Sequence, residues 1–483
     1  MMRKYKDLFV GGRWRPPSAE ATIEVISPHS EDLIARVAAP AAADIDEAVT
    51  AARAAFDAGP WPRLPPAERA RIIRDLARRY EERVDEIARL VTAEMGAPIT
   101  FSRSAHARLP GVMMRALADL AETYPWQETR PGYYGSGILV RSVPVGVVGA
   151  VTPWNMPMLM VVAKLAPALL TGCTVVLKPA PETPLDAYLM AELVEQSEIP
   201  PGVVSILPGD RAIGEYLVAH PGIDKVSFTG STAAGRKVAA ACGTALKRVG
   251  LELGGKSAVV VLDDADPGAV AAGVQVAGLM NSGQACVAQT RILLPRRRAP
   301  EFVDALAAMV DGLVVGDPFD EKTHIGPMVS ARQRERVRGY IERGIGEGAR
   351  IVTGGAGPPA GTDSGWYVRP TLFSDVDSAM GIAQEEIFGP VLTVLEYVDI
   401  DDAVRLADDT AYGLSGSVWT PDIDRGLAVA ARIRAGTFGI NQAYSMDPHA
   451  PFGGVKASGI GREFGREGLA QYLETQAISG LGP

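Results

Sequence analysis

Short β-branched runs begin just after residue 140 and alternate with helical patterns: Val145 to Val151, Thr174 to Leu177, Val203 to Ile206, Lys225 to Phe228 and Ala258 to Leu262. Runs that are apolar at nearly every position belong to strands buried on both faces. This texture predicts a parallel sheet flanked by helices. It returns after residue 290 in Arg291 to Leu294, Phe302 to Val315, Arg332 to Ile345 and Arg350 to Thr353, which predicts a second α/β unit.

Upstream, Ile72, Ile73, Leu76, Tyr80, Val84, Ile87, Leu90 and Val91 recur at helical spacing between Pro65 and Pro98, predicting one long amphipathic helix. The Tyr-, Gly- and Arg-rich stretch Thr123 to Val145 contains the hairpin signal Gly132-Tyr-Tyr-Gly-Ser-Gly137, and Tyr472 to Gly480 reads as a terminal strand. Such an edge either pairs with another subunit or closes a plain surface hairpin; both readings stand. Residues 157 to 170 are apolar, but Pro157, Lys164 and Pro167 interrupt them well short of the ~20 residues a bilayer requires, so they form a core helix.

The 483 residues exceed ordinary domain length and call for two or more packed units. With 48 Lys plus Arg against 57 Asp plus Glu, the net charge of −9 offers no general attraction for nucleic acid. Cys173, Cys242 and Cys286 are too few and too far apart for a disulfide framework, which suits a reducing compartment. His29, His106, His220, His324 and His449 show no metal-ligand spacing, so no metal is expected. The start, Met1-Met2-Arg3-Lys4-Tyr5-Lys6-Asp7, lacks the apolar core of a secretory signal, and a cytoplasmic location is expected.

The middle of the chain is dense in punctuated motifs: Thr152-Pro-Trp-Asn155-Met-Pro, Lys178-Pro-Ala-Pro-Glu-Thr-Pro184, Phe228-Thr-Gly-Ser-Thr-Ala-Ala-Gly235, Leu251-Glu-Leu-Gly-Gly-Lys256, Gly283-Gln-Ala-Cys286, Glu385-Glu-Ile-Phe-Gly-Pro390 and Pro451-Phe-Gly-Gly454. In order and spacing together they resemble the aldehyde dehydrogenase superfamily, specifically its non-acylating NAD(P)-dependent members, over essentially the whole chain. The resemblance implies an α/β fold of that family. A variant Rossmann cofactor domain would comprise 1–122 and 145–253, a catalytic domain 254–457, and a small β oligomerisation element 123–144 and 466–483. Family precedent favours a homodimer or homotetramer.

Cys286 follows Gly283, Gln284 and Ala285, small enough to let a carbonyl approach sulfur. The residues alone leave it open between a nucleophile, activated by site electrostatics or a base, and a small buried hydrophobe. On spacing alone Asn155 reads more readily as a turn residue between Pro153 and Pro157, and Glu252 as a helix-end or strand-end carboxylate paired with Lys247 or Arg248. The resemblance implies the chemical reading of all three. Cys286 attacks an aldehyde, the Asn155 amide and the Cys286 backbone N–H face the oxyanion, and Glu252, raised toward neutrality by an apolar setting, activates the water that cleaves a thioester. Members that pass the acyl group to coenzyme A typically lack a Glu at that position.

Gly230-Ser231-Thr232 joins a strand to a helix whose first N–H groups can face a phosphate, and Gly209 opens a similar junction. Neither is the common Gly-x-Gly-x-x-Gly fingerprint. The family match adds Trp154, Thr229 and Leu253 around the nicotinamide end, Ser231 at the pyrophosphate, Glu386 on the nicotinamide ribose and Phe388 packing on the ring. Lys178, at the carboxyl edge of its strand, would reach the adenosine ribose. Three residues on, where many NAD-preferring members carry a Glu, stands Pro181, with Glu182 displaced by one. The expected cofactor is NAD, with NADP as the alternative.

The family's substrate tunnel maps onto Met156, Leu159, Met160 and Ala163, then Ala285 and Val287, then Tyr444, Ser445 and Met446. These are apolar and Met-rich, with no Arg or Lys to clamp a carboxylate. An aliphatic, terpenoid or aromatic aldehyde is the expected substrate, although Trp419 and Tyr444 keep a quaternary ammonium in view. The competing expectations are a coenzyme-A-acylating enzyme and a catalytically silent binding protein on the same scaffold.

Overall fold

A computed structural model describes residues 3–443 and 446–481. Among them the strands fall into four sheets. The first has eight strands, in the order Gly459–Ile460, Arg248–Glu252, Lys225–Thr229, Val147–Val151, Thr174–Lys178, Val204–Ile206, Leu8–Val10 and Arg13–Arg15. Its five central strands are parallel, four of them at the predicted runs, while both edges are antiparallel; the fifth, Arg248–Glu252, has no apolar run to announce it, and the run Ala258 to Leu262 belongs to the second sheet. The second has seven: Arg350–Thr353, Thr371–Ser374, Val391–Tyr397, Arg291–Pro295, Ala258–Val261, Gly416–Trp419 and Gly439–Ile440. It is parallel except for the Arg350–Thr353 edge.

Gln127–Pro131 and Gly137–Pro144 form the expected hairpin, and Leu473–Leu481 lies antiparallel beside Gly137–Pro144, with Leu473 opposite Pro144. The fourth sheet pairs Arg3–Tyr5, Leu33–Ala38 and Thr22–Ile26 near the start of the chain.

The helix at Pro157–Thr171 is buried along its whole length, as the core-helix reading requires, and continues through Pro167. Each fully buried Leu, Met or Val on it contributes about 1.5–3 kcal/mol relative to exposure. No helix of the described residues is long and apolar enough to cross a membrane.

The single helix expected from Pro65 to Pro98 is instead two, Pro66–Glu81 and Val84–Met95. Arg83 leaves helical geometry at φ −112° and ψ 13°, and its guanidinium is held by Glu86 and Glu192 at 2.8 and 2.7 Å. The break escapes periodicity because the apolar stripe resumes in phase: Tyr80 and Ile87 are both buried on either side of it.

Candidate active site

Each candidate side chain stands where a strand or helix ends. Trp154 and Asn155 lie in the turn between the strand Val147–Val151 and the helix Pro157–Thr171, Glu252 closes the strand Arg248–Glu252, and Cys286 follows the helix Pro267–Leu279 and the turn Met280–Gly283. Carboxyl ends of parallel strands are where open α/β sheets take ligands. Cys286, Asn155, Trp154, Thr229, Gly230, Ser231, Leu253, Glu386 and Phe388 all border one cavity of about 890 Å³. Met156, Leu159, Met160, Ala285, Val287 and Met446 border it too.

Glycines bring these loops together. A Cβ at Gly254 would lie 2.5 Å from Glu386 Oε2, and one at Gly255 would lie 2.6 Å from the Cys286 carbonyl. Gly283, at φ +75°, abuts the Gly389 carbonyl closely enough to exclude any side chain. The segments around Glu252, Cys286 and Glu386 thus touch backbone to backbone.

Cys286 is half-buried, while Cys173 and Cys242 are fully buried. The Val287 N–H favours its thiolate, but burial first, and then the charges of Glu386 and Glu252, push the thiol well above its ordinary range. Asn155 Nδ2 donates to the Gln284 carbonyl at 3.0 Å. An amide nitrogen carries two hydrogens, so one remains for the cavity.

Glu252 is buried, and burial, followed by the charge of Glu463, raises its carboxyl well above the usual range. Its carboxylate turns from the large cavity toward a small one shared with Glu463, Lys225 and Arg462. Gly453, at φ +152°, leaves the room it needs, since a Cβ there would be 2.6 Å from Glu252 Oε1. Lys164, inside the core helix, donates to Glu463 Oε1 at 2.6 Å and reaches Ser227 Oγ at 3.4 Å, and Tyr472 donates to the same hydroxyl at 3.1 Å. Lys164 and Glu463 are 299 positions apart, and no local pattern points to either.

On the opposite wall, Trp154 and Phe388 meet edge to face, 5.3 Å apart at 87°. Phe388 holds a positive φ of 64°, strained for an aromatic residue. Glu386 accepts the Gly255 N–H at 3.1 Å, and burial pushes its carboxyl up to about 7. Ser231 caps the helix Thr232–Thr244 through the Ala234 N–H. Thr229 Oγ1 is buried with no hydrogen-bond partner. Lys178 and Gly209 are together but outside this cavity: Lys178 Nζ donates to the Gly209 and Pro179 carbonyls at 2.5 and 3.1 Å, and burial pulls it down to about 8.

Ala163 does not reach the cavity. It shares a helix face with Met156 and Met160, but lies another turn along, 1% exposed in the core. Tyr444 and Ser445 lie outside the described residues. The cavity also takes Phe101, Ala105 and Leu109 from one distant segment, Gly273 from the helix Pro267–Leu279 and Trp419 from the strand Gly416–Trp419; of these the sequence singled out only Trp419, as an aromatic for a quaternary ammonium. Gln333 and Arg336 border it beside Glu386, and Arg336 donates to the Glu386 carbonyl at 2.6 Å. No group of His, Cys, Asp and Glu among the described residues could hold a metal.

The model of the Aldehyde dehydrogenase family matches residues 14–478. The geranial dehydrogenase of Castellaniella defragrans is 45% identical over 478 residues, 99% of each chain. The crystal structure of a Mycobacterium tuberculosis aldehyde dehydrogenase complexed with NAD+ superposes at a TM-score of 0.97 with 48% identity, covering 99% of this chain and 98% of that one. A cysteine-to-alanine mutant of Pseudomonas syringae aldehyde dehydrogenase C, in complex with NAD+ and octanal, gives 0.96 and 43%, covering 99% and 97%. The protein belongs to the aldehyde dehydrogenase family.

Proposed function

We propose that this protein oxidises apolar aldehydes to free carboxylic acids with NAD as electron acceptor, Cys286 as nucleophile and Glu252 as the base for hydrolysis. The observation that carries the reading is the single cavity joining Cys286 and Asn155 to the Trp154, Thr229 and Phe388 wall.

The residues on that wall fit a nicotinamide cofactor. Thr229 offers an unpartnered buried hydroxyl, Gly254 a cradle that any Cβ would fill, Glu386 a carboxylate for ribose hydroxyls, and Ser231 a capped helix start for phosphate. A nicotinamide held by these residues would supply the hydride acceptor. Glu182 and Asp210 act electrostatically on Lys178, and their charges disfavour a 2′-phosphate, which supports NAD over NADP.

Cys286 Sγ bonds to the aldehyde carbon as its proton passes to a buried carboxylate, and the free Asn155 N–H faces the oxygen that becomes negative. Once the acyl group is a thioester on Cys286, Glu252 turns from the Glu463 side toward the cavity and takes a proton from the attacking water. Its raised affinity for protons suits that task, and Glu463 with Lys164 fixes the position it leaves.

Met156, Leu159, Met160, Phe101, Leu109 and Trp419 give the cavity that holds Cys286 much of its apolar wall. This supports an uncharged, extended or branched aldehyde, in keeping with the geranial dehydrogenase relative and the octanal complex. Glu252 supports hydrolysis over transfer to coenzyme A.

In the same reading, 1–122 with 145–253 bind the dinucleotide, 254–457 supply the catalytic residues, and 123–144 with 466–483 assemble a cytoplasmic homodimer or homotetramer. Tyr133 and Tyr134, exposed at the hairpin tip, and the exposed residues 475–480 of the terminal strand support the last assignment.

The test is reduced-cofactor formation with NAD or NADP, with and without coenzyme A, across octanal, citral, benzaldehyde, betaine aldehyde and succinic semialdehyde. NAD-dependent, coenzyme-A-independent turnover favouring the uncharged aldehydes is expected. A coenzyme A requirement or preference for a charged aldehyde overturns it.

A further inference from the structure

The loop that carries Cys286 is fastened from behind by side chains that take no part in bond making. Asn281, Ser282 and Gly283 run through left-handed geometry at φ 52°, 58° and 75°. Consecutive residues in that region, two of them not glycine, persist only where their surroundings hold them. Two fully buried side chains do so from residues 326–329. Ser282 Oγ accepts the Gly326 N–H at 2.9 Å, and Gln284 Oε1 accepts the Val329 N–H at 3.0 Å. Gln284 Nε2 reaches the Asn281 and Pro327 carbonyls, at 3.4 Å each. Turning the Gln284 amide over would set its oxygen against two carbonyls and its nitrogen against an N–H, so one orientation is imposed.

Gln284 stands behind the cavity that Ala285 and Cys286 border, and its main-chain carbonyl is what the fastening places. That carbonyl accepts Asn155 Nδ2 at 3.0 Å and Asn281 Nδ2 at 3.2 Å. Asn281 Nδ2 also donates to the Asn155 carbonyl at 2.7 Å, so Asn155 meets the nucleophile's loop through side chain and main chain alike. The two hydrogens of a planar amide have fixed relative directions. Where the Gln284 carbonyl holds one of them decides where the other points, and the other is the one left for the oxygen that becomes negative.

We propose that Gln284 is a positioning residue for aldehyde oxidation: its side chain, with the Asn281 amide, fixes the Gln284 carbonyl, which in turn aims the Asn155 amide at the oxyanion. The role rests on the function proposed above and deepens it.

The experiment uses heptyl trifluoromethyl ketone, an analogue of octanal with no hydride to give. Cys286 Sγ bonds to its carbonyl carbon, the thiol proton leaves, and the oxygen takes the negative charge, so its affinity for the cofactor-free protein reads the oxyanion contact without turnover. Iodoacetamide alkylation of Cys286, which displaces iodide and builds no oxyanion, is the comparison. Gln284→Met keeps the length of the side chain without donor or acceptor. It should weaken ketone binding about tenfold and lower kcat for octanal by a similar factor. The alkylation rate and the KM for NAD should stay within about twofold of the parent. In an Asn155→Ala background, Gln284→Met should weaken ketone binding by less than about twofold, because the amide it aims is gone.

Equal losses in the two backgrounds, an alkylation rate that falls as far as ketone affinity, or a lower melting temperature with parental ketone affinity overturns the role. Asn281→Gly keeps the left-handed backbone and removes the amide, so the outcome does not hang on the folding of Gln284→Met. It should show the same pattern, and parental ketone affinity in it also overturns the proposal. A parent protein that fails to bind the ketone overturns it too, whereas one that binds the ketone and does not oxidise octanal defeats the functional reading alone.

Discussion

Glu252 and Glu463 share one buried pocket, and each keeps a carboxylate oxygen, Oε2, without a hydrogen-bond partner, while Lys164 pairs with Glu463 alone. Two carboxylates so placed cannot both ionise freely, and the burden falls on Glu252, whose proton affinity rises. Hydrolysis needs Glu252 ionised, so turnover limited by that step should rise with pH through a value above the ordinary carboxylate range. Glu463→Gln removes the like charge and releases the Lys164 ammonium, both of which favour ionised Glu252. The acid limb of kcat should move down by about one pH unit. A pH–rate profile checks this, and an unmoved limb contradicts it.

The nucleophile is governed by the opposite sign. Glu386 raises the Cys286 thiol, yet Glu386 itself is pushed up to about 7 and exerts its full field only when ionised. Glu386→Gln should therefore speed iodoacetamide alkylation of Cys286 by about three- to tenfold above neutral pH. The two proteins should converge in mildly acidic solution. Equal rates at every pH would remove Glu386 from control of the thiol.

Gly273, on the helix Pro267–Leu279, faces the Trp419 indole so closely that any Cβ would overlap the ring. Trp419 cannot swing freely, since its Nε1 donates to Ser417 Oγ at 3.0 Å. Gly273→Ala should displace the indole into the cavity and raise KM for octanal about tenfold, with propanal little affected. Steady-state kinetics over a series of straight-chain aldehydes reads the change. An unaltered chain-length profile would place Trp419 outside the aldehyde path.

The sheet cores were legible because a strand buried on both faces announces itself by an unbroken apolar run, and the helix at Pro157–Thr171 by its apolar surround. The break at Arg83 was not, since the stripe keeps its phase across it. Among site residues, those in compact motifs meet as their spacing suggests: Trp154 and Asn155, Thr229 to Ser231, and Ala285 to Val287 all border the cavity. Ala163 failed because the tunnel positions implied by the family resemblance follow one face of a helix and do not give the depth at which a cavity ends. Lys164 and Glu463 were silent for another reason. Each acts through a partner far away in the chain, and only the folded backbone supplies that partner.

The covalent chemistry assigned to Cys286 is tested most directly by mixing Glu252→Gln protein with NAD and octanal, quenching in acid and measuring the mass of the Cys286 peptide. An octanoyl adduct on that peptide, formed with a burst of reduced cofactor stoichiometric with active sites and then a stall, is the predicted result. A burst without acylation of Cys286, or continued turnover at the parental rate, would contradict it.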